Sequence, residues 1–155
     1  MGTLNDSFDV FSTIGAGNFG YWDKDEFGKP CFYLDTKKYI GENIWHLIGN
    51  DRISATAHNK GYVQIYAWDR GPQILNHYEI KEDLTGGGYS WIISDKTRLS
   101  TYWGDNLDVN CKTIWGCGYV RKKVDTPFLY VEETLYAPDG KDAVLIHELR
   151  IKNTS

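Results

Sequence analysis

Residues 128–152 limit the fold more than any other stretch. Two runs of alternating apolar and polar residues flank Ala137-Pro138-Asp139-Gly140. Pro is placed to start that turn and Gly to close it. In Phe128–Ala137, Leu129, Val131, Glu133 and Leu135 share one face, and Phe128, Tyr130, Glu132, Thr134 and Tyr136 share the other. In Ala143–Lys152, Leu145, His147, Leu149 and Ile151 alternate with Val144, Ile146, Glu148, Arg150 and Lys152. A period of two means strands, and two such runs around a turn mean a hairpin.

The same period recurs in Gly61–Trp68, which ends in Asp69-Arg70-Gly71-Pro72. Val63, Ile65 and Ala67 form its aliphatic face, and Tyr62, Gln64, Tyr66 and Trp68 an aromatic-polar one. Weaker strands are expected at 19–23, 31–34, 53–57, 74–80, 89–94 and 118–124, with a charged turn over Asp23–Pro30. Lys38–Leu47 reads as a short helix, weakened by Gly41. Strands separated by turns, without alternating helices, predict an all-β antiparallel sandwich. The 155 residues and 41% hydrophobic content fit one domain over 1–155 with its own core.

Net charge is −4, and no basic stripe runs along the chain. Nucleic acid and anionic membrane are poor partners for such a surface. Arg121-Lys122-Lys123 reads as a solvated strand end. No apolar run is long enough for a membrane-spanning helix. The opening Met1–Ser7 shows no signal-peptide pattern. Three cysteines without a CxxC and four scattered histidines offer neither a disulfide framework nor zinc spacing. A reducing cytoplasm and no metal or organic cofactor are the corresponding expectations.

Aromatic content is high: six Trp, eleven Tyr and six Phe make 15% of the chain. Such side chains suit sugar stacking, and they also suit strands. Gly86-Gly87-Gly88-Tyr89-Ser90-Trp91 joins a backbone free of Cβ atoms to two aromatics. It fits either a turn feeding a buried strand or a close approach to a ligand. Gly86, Gly87, Gly88, Tyr89, Trp91, Arg98, Tyr102 and Trp103 are the candidate sugar-facing or interface group. Tyr62, Tyr66 and Trp68 are an alternative sugar platform.

Gly15-Ala16-Gly17-Asn18-Phe19-Gly20 matches the dinucleotide fingerprint in letters, but no amphipathic helix follows it. His147-Glu148-Leu149-Arg150 lacks the second His of a zinc protease helix and sits in a strand pattern. His147 reads as a satisfied core or interface histidine. Asp95, Asp105, Asp108, Glu132 and Glu133 are carboxylates, yet spacing alone pairs none of them across a glycosidic bond. No residues here form a catalytic set.

Several segments, in order, resemble the cellobiose and chitobiose phosphorylase type of glycoside phosphorylase, relatives of oligoglucan phosphorylases. They are Phe19-Gly20-Tyr21-Trp22-Asp23, Gly86–Trp91, Arg98–Trp103, Gly116-Cys117-Gly118-Tyr119, Val131–Pro138 and Glu148–Ser155. Gly49-Asn50 begins like a further family phrase, but Asp51-Arg52 replaces its glycines. The resemblance implies the N-terminal, mutarotase-like sandwich region of an inverting phosphorylase. It places the catalytic acid and phosphate pocket in an (α/α) barrel that this chain lacks. It also implies inorganic phosphate as co-substrate and β-linked glucan oligosaccharides or disaccharides as substrates. The barrel, as a further domain or separate chain, is the implied partner, within a homo- or hetero-oligomer. A carbohydrate-binding or assembly module without chemistry is the alternative.

Overall fold

A computed structural model describes residues 19–34, 44–67, 73–74, 76, 86–95, 98–102 and 110–154. The strands are β1 (Gly20–Lys24), β2 (Pro30–Leu34), β3 (Trp45–Gly49), β4 (Ile53–His58), β5 (Val63–Ala67) and β6 (Gln73–Ile74). They continue as β7 (Trp91–Ile93), β8 (Arg98–Ser100), β9 (Asn110–Gly116), β10 (Tyr119–Asp125), β11 (Leu129–Tyr136) and β12 (Ile146–Asn153). The chain is all-β and its sheets are antiparallel. No helix among the described residues is long and apolar enough to cross a membrane.

One sheet runs β1-β2-β9-β10-β11-β12, a second β3-β4-β5-β6, and β7-β8 pair alone. Register turns the alternation of each strand into rows on one face. Trp22, Phe32, Trp115, Val120, Leu135 and His147 form one row of the large sheet. Leu34, Thr113, Lys122, Glu133 and Leu149 form the next. Cys111, Val124, Val131 and Ile151 form a third.

The first row, joined by Leu34 of the next, packs on the second sheet. Phe32, Leu34, Trp115, Val120 and Leu135 share a buried cluster with Ile48, Ala55, Ala57 and Val63. The third row is covered by the short pair, because Ile92 and Leu99 pack on Val124 and Val131. This two-layer packing is a sandwich. The middle row carries charge at its centre, with Lys122 directly opposite Glu133.

Two expectations are corrected. Residues 45–47 of the expected 38–47 helix lie in β3, and 38–43 fall outside the described residues. His46 and Ile48 face Ala57 and Ala55 across the ladder, so pairing decides the conformation of this short run. Lys122 is not at a solvated strand end. Its relative exposure is 0%, because register carries it inward between Val120 and Val124. The expected turn at 23–30 is present, with Asp25 Oδ1 accepting from the amides of Phe27 and Lys29. Beyond Ile74, the expected 74–80 strand lies outside the described residues except for Asn76.

Candidate functional site

The glycine tract lies against β5. Val63 N donates to Gly87 O at 2.9 Å, and Asn76 Nδ2 donates to Gly86 O at 3.1 Å and Val63 O at 2.6 Å. Gly88 has φ +76°, and a Cβ there would stand 2.5 Å from Val63 Cβ. Gly61 has φ +102°, and its Cβ would meet Thr101 O at 2.5 Å. Both positions therefore require glycine for conformation and for space. The close approach foreseen for Gly86–Gly88 is made to the chain's own strand.

These two glycines present carbonyls to Lys122. Its Nζ donates to Gly61 O at 2.5 Å and Gly88 O at 2.7 Å, and lies 2.5 Å from Glu133 Oε1. Nζ is thus surrounded by three oxygens. Glu133 Oε1 is held by charge rather than by a directed hydrogen bond, since that approach is off-line for one. Thr101 Oγ1 donates to Glu133 Oε2 at 2.7 Å and accepts from Ser90 N at 2.8 Å. His147 Nε2 lies 3.3 Å from Glu133 Oε2 and 3.4 Å from Ser90 Oγ. The His147 side chain is 38% exposed, so the network reaches the surface there.

Burial pushes the Glu133 carboxyl up, but the His147 contact and the Lys122 charge outweigh it and hold it at about 2. Burial pulls the Lys122 ammonium down, opposed by the Glu133 charge. The shifts of the two partners point opposite ways for the ionised pair. Three oxygens around Nζ and two donors at Oε2 favour the pair being charged at neutral pH. Glu133 is therefore an anion and not a proton donor. Ser90, His147 and Glu133 resemble a hydrolytic triad by residue type alone. Both oxygens approach the same ring nitrogen, whereas a triad places them on opposite nitrogens.

An aromatic run borders this network. Trp45 stands edge-on to His58 at 4.4 Å, His58 stacks on Tyr62 at 4.4 Å, Tyr62 lies 6.4 Å from Tyr102, and Tyr102 5.3 Å from Tyr89. The two groups of candidate residues, treated as alternatives in the sequence, meet at Tyr62 and Tyr102. Tyr62 is 3% exposed, while Tyr89, Tyr102 and Tyr66 are half-buried. Tyr66 donates its hydroxyl to Gln64 Oε1 at 2.6 Å. Trp91 is exposed, with the Arg98 guanidinium over its ring at 4.8 Å. Trp68 and Trp103 lie outside the described residues.

Burial lowers the His58 pKa to about 4, with Lys60 adding to the effect. Its Nδ1 accepts the Lys60 amide at 3.1 Å, which suits a neutral ring. A cavity of about 310 Å³ on the β1-β2-β9 side is lined by Phe19, Trp22, Phe32, Ile44, His46 and Trp115. His46 stacks on Trp115 at 5.5 Å and bonds Gly116 O at 2.9 Å, while Trp115 Nε1 is buried without a hydrogen-bond partner among the described residues. No cluster of three metal-ligating side chains occurs among the described residues.

Sequence reasoning overlooked Ser90, Thr101 and Lys122. The usable signal for Lys122 was its parity with Val120 and Val124, opposite the apolar-face Glu133. No protein-family model matches the chain, and no curated protein matches it significantly.

Proposed function

We propose that this chain is the N-terminal sandwich portion of an inverting glycoside phosphorylase acting on β-linked glucan oligosaccharides or disaccharides. One observation carries the reading. Four of the segments that resemble that family supply or adjoin one buried network: Gly88 and Ser90, Thr101, Glu133, and His147 beside Glu148. Segments far apart in sequence thus share a physical reason to occur together.

In this reading phosphate attacks the anomeric carbon, and an acid from the barrel protonates the leaving sugar oxygen. The present chain supplies a wall. Glu133 stays anionic and holds Lys122, which fixes Gly61 and Gly88. The fixed tract sets Tyr89 and Tyr102 at the rim, where a barrel or acceptor sugar would lie. The chain would work in the cytoplasm, with inorganic phosphate as co-substrate and no organic cofactor.

The test is phosphate-dependent release of sugar 1-phosphate from cello-oligosaccharides by the chain joined or mixed with its helical barrel. Release that requires both parts supports the proposal. Absence of release from an intact pairing contradicts it. An assembly module without sugar chemistry is the second reading, favoured by the exposed Leu149 and Ile151 on β12. It predicts rescue of a partner's folding with no effect of sugar or phosphate.

A further inference from the structure

We propose that the aromatic cavity between the two sheets binds a small uncharged aryl ketone, a flat ring bearing one carbonyl oxygen. One wall is the inner row Trp22, Phe32 and Trp115 of the large sheet, and Ile44 and His46 come from the facing layer. Ring contacts fix these walls. Trp22 meets Phe32 edge-on at 5.3 Å, Phe32 lies 6.3 Å from Trp115, and His46 stacks on Trp115 at 5.5 Å. Ile44 is tied down as well, its amide donating to Asn59 Oδ1 at 3.3 Å and its carbonyl accepting from the Asn59 amide at 3.0 Å. Packed interiors leave few voids larger than a water molecule, so about 310 Å³ between two such walls departs from ordinary core packing. A dry apolar cavity of roughly 150 Å³ holds benzene, so the space here admits a ring with a substituent.

Polarity selects the occupant. Trp115 is 7% exposed, and its Nε1–H has no acceptor among the described residues. A buried donor left unpaired is costly, and the space beside this indole is where an acceptor can sit. His46 adds no second free N–H there, because its Nε2 donates to Gly116 O at 2.9 Å. Burial also lowers the His46 pKa below its ordinary 6.5, which keeps the ring neutral. The described lining therefore offers one donor and no charge. A carboxylate or ammonium would lose its water without gaining a counter-charge. A sugar would bring several hydroxyls against one donor and leave most of them unpaired. A carbonyl oxygen accepts without carrying a proton that needs a partner of its own, and the aryl ring meets aromatic walls.

Titration of the ¹⁵N-labelled full chain with acetophenone, followed by NMR at the indole N–H resonances, tests this. The Trp115 resonance is identified by its loss in Trp115→Phe. Acetophenone should move it downfield and saturably. α-Methylstyrene keeps the flat shape but replaces the oxygen with CH₂, and should bind about 3- to 10-fold more weakly. Trp115→Phe should bind the two equally, which separates loss of the hydrogen bond from loss of the fold. Ile44→Trp, which fills the space, should abolish binding of both in a chain whose spectrum stays dispersed. Absence of a saturable shift overturns the proposal. So does equal affinity of the unmodified chain for the two probes, a preference that persists in Trp115→Phe, or binding that survives Ile44→Trp. A shift of the Trp115 resonance by glucose or cellobiose, with none by acetophenone, overturns it as well.

Discussion

Lys122 and Glu133 stand directly opposite each other on β10 and β11, with Nζ 2.5 Å from Oε1, and both residues are 0% exposed. Each is an inward residue of a strand whose other inward residues are aliphatic. Two charges at the centre of a sandwich cost heavily in desolvation, offset by mutual attraction and by bonds to the remaining polar atoms. Here those bonds come from Gly61, Gly88, Thr101 and His147, so the pair ties the glycine tract and β8 end to the large sheet.

Breaking the pair on one side is predicted to destabilise the fold strongly. Lys122→Met or Glu133→Gln should each cost about 3–5 kcal/mol in urea unfolding, because a buried group loses its partner. The double change Lys122→Met with Glu133→Gln should cost less than the two single changes added together. Additive losses would show that the pair is not coupled.

Acid should destabilise the protein in two windows. His58 has a folded pKa of about 4, below its ordinary 6.5. Between these values the unfolded chain binds more protons, so stability is full above 6.5 and falls as pH drops toward 4. Glu133, at about 2 against an ordinary 4.5, has the same sign. Its contribution is present above 4.5 and is lost as pH drops toward 2. His58→Phe should reduce the slope of unfolding free energy between pH 6.5 and 4 and leave the lower window in place. An unchanged slope would show that His58 titrates normally.

Gly88→Ala should be far more harmful than an ordinary loop substitution. The added methyl meets Val63 Cβ at 2.5 Å and the residue stays at φ +76°. A loss on the order of 2–4 kcal/mol is expected, read as a drop in Tm. Ala at Gly61 should act through the same network, since that carbonyl also holds Lys122. A wild-type Tm for Gly88→Ala would mean that the tract does not rest on β5.

The strand content was legible because period-two alternation and turn residues are local signals. The hairpin of β11 and β12 and the faces of β5 were readable residue by residue. The β3 strand was not, because a short apolar run has no period of its own and Trp45–Gly49 is extended by pairing with β4. The buried network was hidden for a different reason. Its members come from the 61, 88–90, 101, 122, 133 and 147 positions, and only register brings them together. Lys122 in particular sits inside a basic triplet, which conceals that its neighbours point outward while it points in. The aromatic candidates were found as two sets, and the contact between Tyr62 and Tyr102 that joins them depends on tertiary packing.

The most direct test of the functional account is the phosphorolysis assay on the chain with the helical barrel that the proposal implies, comparing the unmodified sandwich with Lys122→Met. The account predicts sugar 1-phosphate release that depends on inorganic phosphate, requires both parts, and falls when Lys122 no longer holds the Gly88 carbonyl. Release by the barrel alone at the same rate, or no release from the intact pairing, would contradict it.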